Sequence, residues 1–140
     1  MKKIFLGSEI IIEMIDAAKS VEPEEACGVL IGTIDDKTGD VTVDQIVPIE
    51  NSDHHKMHFT LEVKSYMKCV KETRRSGKKI VSIWHSHPRY EAVMSKEDVA
   101  LAKNPDVLWT IVGYLDREVP VVACFEIVDD KPSSVIIEVM

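Results

Sequence analysis

The sequence feature that most constrains the fold is a short apolar segment, Ala26 to Gly32, that follows Pro23. It is far shorter than the roughly 20 apolar residues of a membrane-spanning helix, and it suits a buried strand. Turn-forming residues occupy 35–40, and Val41 to Val47 then has the composition of a second strand. These segments predict a β-hairpin.

Helical and strand-like patterns alternate along the rest of the chain. The apolar spacing predicts one helix from an N-cap at Ser8 to Ser20, and a second from a cap at Thr60 to about Gly77. A short third helix opens at Ser95. Further segments have the composition of strands: 79–85, 107–115, 119–128 and 134–139. The order predicts one α/β domain over 1–140, a mixed β-sheet flanked by helices.

Charge and composition exclude several classes of function. The chain has 17 Lys and Arg against 24 Asp and Glu, a net charge of -7, so we expect neither nucleic acid nor an anionic membrane as a partner. Acidic residues interrupt the apolar start, which argues against a signal peptide, and we expect a cytoplasmic protein. Cys27, Cys69 and Cys124 are far apart and predict reduced, buried thiols.

Two histidines mark a candidate metal site. His85 and His87 alternate at the end of a predicted strand, so their side chains leave one face with Cα atoms about 6.6 Å apart. Ser95 and Asp98 lie one helical turn apart near the start of the third helix, where the helix dipole keeps a carboxylate ionised. Two imidazoles and one carboxylate suit zinc and leave a fourth position open.

Each of these patterns alone has an ordinary explanation. Two exposed histidines commonly bind nothing, and Ser95 with Asp98 is satisfied by helix capping. The joint spacing, together with the upstream Glu25, favours a functional site. The neighbouring Glu24 is the alternative base, and we expect it to face solvent.

These motifs resemble a known family. The segment His85-Ser86-His87-Pro88, with seven residues over 88–94 before Ser95-x-x-Asp98, resembles the His-x-His-x7-Ser-x2-Asp signature of JAB/MPN (JAMM) metalloproteases. The segment Glu25 to Gly32 is similar to the first block of that family. The short chain resembles the minimal, prokaryotic-type members.

The resemblance implies a cytidine-deaminase-like fold and one zinc ion per chain, held by His85, His87 and Asp98. It implies that Glu25 is the general base for a zinc-bound water and that Ser95 hydrogen-bonds the developing oxyanion. The implied reaction is hydrolysis of an isopeptide or peptide bond at the C-terminal tail of a ubiquitin-like or sulfur-carrier protein.

Three other functions compete with this one. A catalytically silent MPN scaffold would keep the fold for protein interaction, but all the implied ligands are present here. A zinc deaminase needs Pro-Cys-x-x-Cys, which the sequence lacks. DNA-repair-associated relatives typically read His-Asn-His-Pro where this chain reads His-Ser-His-Pro.

Substrate would be held by two short surfaces, 51–60 and 89–94, with an extended tail paired against a sheet edge. The first surface carries a histidine cluster that is either a second metal site or ordinary solvated side chains: His54, His55 and His58. The sequence leaves the oligomeric state open, a homodimer included.

Overall fold

The computed structural model describes residues 2–140, which contain seven β-strands and three α-helices. The elements are β1 Lys3–Leu6, α1 Ser8–Ser20, β2 Cys27–Ile34, β3 Val41–Ile49, α2 Val63–Ser76, β4 Lys79–Pro88, α3 Lys96–Leu101, β5 Leu108–Tyr114, β6 Val121–Val128 and β7 Lys131–Val139. Every predicted helix and strand is present, with ends that shift by a few residues. The prediction of an α/β arrangement with a mixed sheet is confirmed.

The strands follow the order β1-β3-β2-β4-β5-β6-β7 and close into a barrel. Closure depends on β1, which pairs in parallel with β3 on one side and with β7 on the other. The predicted β2–β3 hairpin is antiparallel, as is β6–β7, whereas β4 and β5 run parallel. The sequence did not predict β1, because four residues are too few to display a period and both partners lie far along the chain.

Strand β2 is apolar throughout because both of its faces are covered. Leu30 lies in a core cluster with Met14 of α1, whereas Val29 and Ile31 lie in a second cluster with Cys69 of α2. Successive strand residues point to opposite faces, so a strand packed on both sides needs no polar alternation. The helices therefore hold β2 and its neighbour β4 in place.

The helix starts differ from two predictions. Helix α1 begins at Ser8 itself and its N-cap is Gly7, so Ser8 is not the cap. Helix α2 is capped by Glu62, whose carboxylate accepts hydrogen bonds from two N–H groups of the first turn. Thr60 lies outside the helix, where its hydroxyl donates to a carboxylate of the preceding loop. The end of α2 at Gly77, in the left-handed conformation with φ 75°, is as predicted.

The structure also bears on the predictions for the cysteines and for membrane-spanning helices. All three cysteines are free and buried, as expected: Cys27, Cys69 and Cys124. Burial raises the pKa of the Cys27 thiol to about 12, so this group stays protonated at neutral pH. Among the helices of residues 2–140, none combines the length and the hydropathy needed to cross a membrane.

Candidate metal centre

The two histidines lie at the C-terminal end of β4, inside the sheet. His85 pairs with Cys27 of β2 and His87 with Gly113 of β5, so a strand flanks each histidine. Both side chains are buried, and their ring centroids are 4.8 Å apart. As the alternation predicts, the two rings share one face of the strand.

Helix α3 brings the carboxylate to the histidines. Ser95 is the N-cap, and its Oγ accepts the Asp98 N–H while Asp98 Oδ2 accepts the Ser95 N–H, both at 3.0 Å. The same Oδ2 lies 3.1 Å from His85 Nε2 and 3.0 Å from His87 Nε2. Capping and convergence on the histidines therefore occur together, and neither explanation excludes the other.

The spacing of these three atoms fits a metal ion. The two histidine Nε2 atoms are 3.1 Å apart, which completes a nearly equilateral triangle with Asp98 Oδ2. Zinc bonds of about 2.0–2.1 Å give a tetrahedron with edges of about 3.3–3.4 Å. His87 Nδ1–H donates to the Glu91 carbonyl oxygen at 3.0 Å, which leaves the Nε2 lone pair directed at Asp98. His87 Nε2 and Asp98 Oδ2 are then two acceptors that face each other, and a cation between them would stabilise the pair.

Glu25 lies beside this triangle, just before β2. It is buried, and its Oε1 has no hydrogen-bond partner within residues 2–140. Ligand atoms of Glu25, His85 and His87 all lie within 4.8 Å of one another. Next to it, the Ala26 N–H donates to Ser86 Oγ at 2.8 Å, which fixes this segment to β4. Two carboxylates, those of Glu25 and Asp98, are therefore available to a metal held by the histidines.

The electrostatic environment separates these two carboxylates. Burial raises the pKa of Glu25 to about 8, and the Asp98 charge adds to the rise while His87 opposes it. Burial would also raise the pKa of Asp98, but the contacts with His85 and His87 outweigh it and hold that pKa well below its usual range. Asp98 is thus ionised, whereas Glu25 titrates near neutral pH.

The histidine environments also differ. Burial lowers the pKa of His85, whose Nδ1 has no partner among the described residues. Burial acts on His87 in the same direction, but the Asp98 contact and the Glu91 carbonyl outweigh it and raise its pKa. Glu24 points away from the site: it is half-exposed, and its Oε1 lies 3.0 Å from His54 Nδ1.

The loop over residues 51–61 covers the site, and sequence reasoning missed the residues that anchor it. The buried Asn51 amide donates to the Glu25 and His58 carbonyl oxygens, each at 3.0 Å. Its Oδ1 accepts N–H groups of this loop. Phe59 stacks on His85 with ring centroids 4.6 Å apart and an interplanar angle of 21°. The loop thereby fixes both Glu25 and the His85 ring.

The histidines of this loop are peripheral. His58 Nδ1 lies 3.1 Å from Glu97 Oε2, and both side chains are substantially exposed. In the part of the chain that the structure describes, His54, His55 and His58 do not form a group of three close ligand atoms. Their interpretation as solvated side chains, and not as a second metal site, stays a prediction.

We expect Asn51→Asp to lower the free energy of unfolding by about 2–4 kcal/mol, because it removes both buried donors and leaves two carbonyls unpaired. Urea unfolding measures this loss. Asn104→Asp is the matched control, since Asn104 is exposed and its side chain only accepts a hydrogen bond. Equal stabilities of the two variants would contradict an anchoring role for Asn51.

Gly113 lets the loop that carries Glu91 approach β5. A Cβ at this position would overlap the Ala92 nitrogen and lie 2.6 Å from the Glu91 carbonyl carbon. Gly113→Ala should therefore cost about 1–3 kcal/mol of stability and, by displacing the carbonyl that orients His87, weaken metal affinity about 10- to 100-fold. Unfolding and Zn²⁺ titration against a chelator measure the two effects.

Gly7→Ala is the control for this variant, because an added methyl group there meets no atom within 4 Å. It should leave Zn²⁺ affinity at the wild-type value. An unchanged affinity in Gly113→Ala would mean that the Glu91 carbonyl does not orient His87.

The sequence of this chain is similar to those of known proteins. The family model described as prokaryotic homologs of the JAB domain matches residues 7–128. The chain is 27% identical over 126 residues to the CysO-cysteine peptidases of Mycobacterium tuberculosis and Mycobacterium bovis, covering 90% of this chain and 84% of theirs.

Two solved structures resemble the fold of this chain. A protein from Desulfitobacterium hafniense, solved in solution, has a TM-score of 0.88 and 31% identity, over 98% of this chain and 92% of its own. A solution structure from Salinibacter ruber, at 22% identity, shares the fold with a TM-score of 0.69 over 97% of this chain and 91% of its own. With the family model matching most of its length, the chain belongs to the prokaryotic homologs of the JAB domain.

Proposed function

We propose that this protein is a zinc metallopeptidase that hydrolyses a peptide or isopeptide bond at the C-terminal tail of a sulfur-carrier or ubiquitin-like protein. One observation carries the proposal: His85 Nε2, His87 Nε2 and Asp98 Oδ2 converge within 3.1 Å of one another, beside the unpaired Oε1 of Glu25. Within residues 2–140, that oxygen has no structural partner, which supports a catalytic use.

His85, His87 and Asp98 would hold the zinc ion. We assign Asp98, in preference to Glu25, as the third ligand because its oxygen is already at ligand spacing and its low pKa keeps it charged. A bound zinc ion supplies Lewis acidity, which polarises a carbonyl group and lowers the pKa of water from 15.7 toward about 7.

Glu25 would move the proton. Its Oε1 takes one proton from the attacking water, whose oxygen bonds to the carbonyl carbon, and then passes that proton to the amine nitrogen as the carbon–nitrogen bond breaks. Burial raises the pKa of Glu25 to about 8 in the metal-free protein, and a bound zinc cation would lower it, which would let the carboxylate accept a proton near neutral pH.

Ser95 would stabilise the carbonyl oxygen as it becomes negative. Its Oγ already accepts the Asp98 N–H, so the hydroxyl hydrogen remains available to a substrate oxygen. Ser95, Glu25 and His87 line one pocket of about 320 Å³. Its other walls are largely apolar and suit an extended tail: Met57, Tyr90, Glu91, Val93 and Leu115.

The substrate class rests on the mycobacterial relatives, whose name describes a peptidase acting on CysO-cysteine. The test incubates the zinc-loaded protein with a sulfur-carrier protein extended by one C-terminal cysteine and, separately, with a ubiquitin fusion. Mass spectrometry should show loss of the cysteine, with Glu25→Gln as the inactive control. Cleavage of the ubiquitin fusion alone would move the proposal to the ubiquitin-like class.

A silent scaffold is the second candidate. It predicts neither zinc binding nor cleavage in the same experiment. The deaminase alternative lacks its ligands, because the three cysteines are scattered and buried in the described structure. The cytidine-deaminase-like classification of the fold stays a prediction.

A further inference from the structure

A second cavity adjoins the candidate metal centre. It has a volume of about 810 Å³ and shares Tyr90 and Leu115 with the smaller pocket. Its wall includes Pro88, which directly follows His87, and the Tyr90 ring centroid is 6.5 Å from that of His87. The cavity therefore begins about one side chain away from the site where the bond would break.

The charge of this cavity is opposite to that of the protein. Three cations line it, although the chain carries a net charge of -7: Lys56, Arg89 and Arg117. Arg117 Nε is 3.0 Å from Glu22 Oε2, so that pair is neutral. Within residues 2–140, neither Lys56 nor Arg89 pairs with a carboxylate. The cavity thus has an excess of two positive charges.

A buried donor also lines the cavity. Tyr114 is 2% exposed, and its hydroxyl lies near the Glu22 carboxylate. It does not reach hydrogen-bond geometry with Glu22 or with any other group in the part of the chain that the structure describes. A buried hydroxyl without a partner is costly, so a ligand oxygen that accepts from it would be favourable.

We propose that this cationic cavity binds the α-carboxylate of the amino acid that is released from the substrate tail. The choice of ligand rests on the proposed peptidase function. When the last peptide bond of a tail is cut, the leaving amino acid carries its carboxylate only two bonds from the scissile nitrogen. A positive group must therefore lie close to the site, and Arg89, which follows His87 by two residues, lines the adjoining cavity.

The experiment compares two substrates of the zinc-loaded protein: a sulfur-carrier protein extended by one cysteine with a free carboxylate, and the same protein with a C-terminal carboxamide. We expect wild-type kcat/KM to favour the free carboxylate by at least about tenfold, the contribution of a charge-assisted hydrogen bond. Arg89→Gln and Lys56→Gln should each lower this ratio, and the double variant should bring it close to one.

Arg75→Gln is the matched control, since Arg75 is an exposed cation in the last turn of α2, and it should keep the wild-type ratio. Equal wild-type cleavage of the two tails would overturn the carboxylate assignment. So would an equal loss on both tails in Arg89→Gln, which would mean that the cations contact the body of the carrier protein.

Equilibrium binding of the two tails, measured by calorimetry, separates this inference from the peptidase proposal. If neither tail is cleaved, the peptidase proposal fails. Tighter binding of the free carboxylate that Arg89→Gln abolishes would still support the cavity as a carboxylate site, and equal binding would overturn it.

Discussion

Glu25→Gln should lower the rate of tail cleavage by about 100- to 10,000-fold, the contribution of a positioned general base. Glutamine has nearly the same shape but accepts no proton at neutral pH. Zinc content should stay at about one ion per chain, because the three assigned ligands are untouched. Steady-state cleavage of the carrier protein and elemental analysis of the same sample measure the two quantities.

Glu24→Gln is the matched control. It makes the same chemical change one residue away, at a half-exposed side chain that faces His54. We expect wild-type activity from this variant. If Glu24→Gln is inactive and Glu25→Gln active, the roles of the two neighbours are reversed.

Glu25→Gln should also alter the stability of the metal-free protein. Folding raises the pKa of the Glu25 carboxyl from 4.5 to about 8, so the folded protein binds its proton more tightly than the unfolded chain does. The free energy of unfolding therefore falls as the pH rises from 4.5 through 8. Glutamine is neutral throughout. Relative to Glu25→Gln, metal-free wild type should lose on the order of a few kcal/mol between pH 5 and pH 8, as measured by urea unfolding at the two pH values.

His87→Ala and Asp98→Asn should reduce bound zinc from about one ion per chain to a small fraction, and cleavage should fall with it. His87→Ala removes one corner of the triangle of ligand atoms, and Asp98→Asn removes the negative charge at another. Asparagine can still accept the Ser95 N–H, so Asp98→Asn tests the charge of the ligand while α3 stays capped. Elemental analysis of protein purified without added metal gives the stoichiometry.

His54→Ala is the control for zinc loss, because His54 is an exposed loop histidine outside the triangle. It should retain the metal. Full zinc content in Asp98→Asn, combined with zinc loss in Glu25→Gln, would exchange the ligand and base roles of the two carboxylates. That outcome corresponds to the alternative cluster of Glu25, His85 and His87.

The arrangement of His85, His87 and Asp98 was predictable because these three residues lie close together along the chain. An alternating strand places His85 and His87 on one face, and a capped helix start places Asp98 opposite them. Both arrangements follow from local geometry. The burial of Glu25 and the partial exposure of Glu24 also agree with the prediction.

The supporting residues could not be predicted in this way. Asn51 and Phe59 act across tertiary contacts, and nothing in their neighbouring sequence indicates a partner at Glu25 or His85. The Glu91 contact uses a backbone carbonyl, which any residue could supply. The sequence gives one indication for Asn51. It lies two residues after Ile49, the apolar end of β3, where a loop begins and must be anchored.

The role of β1 in closing the barrel has a consequence for the order of folding. Ile4 pairs with Ile137, so strands from opposite ends of the described chain must meet. Contacts of such high sequence separation form slowly, because a long loop must close before any pairing is gained. The strands and the helix that hold the candidate ligands, β2, β4, β5 and α3, end by residue 114, so during synthesis these residues can come together before β7 exists. We expect barrel closure, and not formation of the ligand triangle, to set the rate at which the native protein appears.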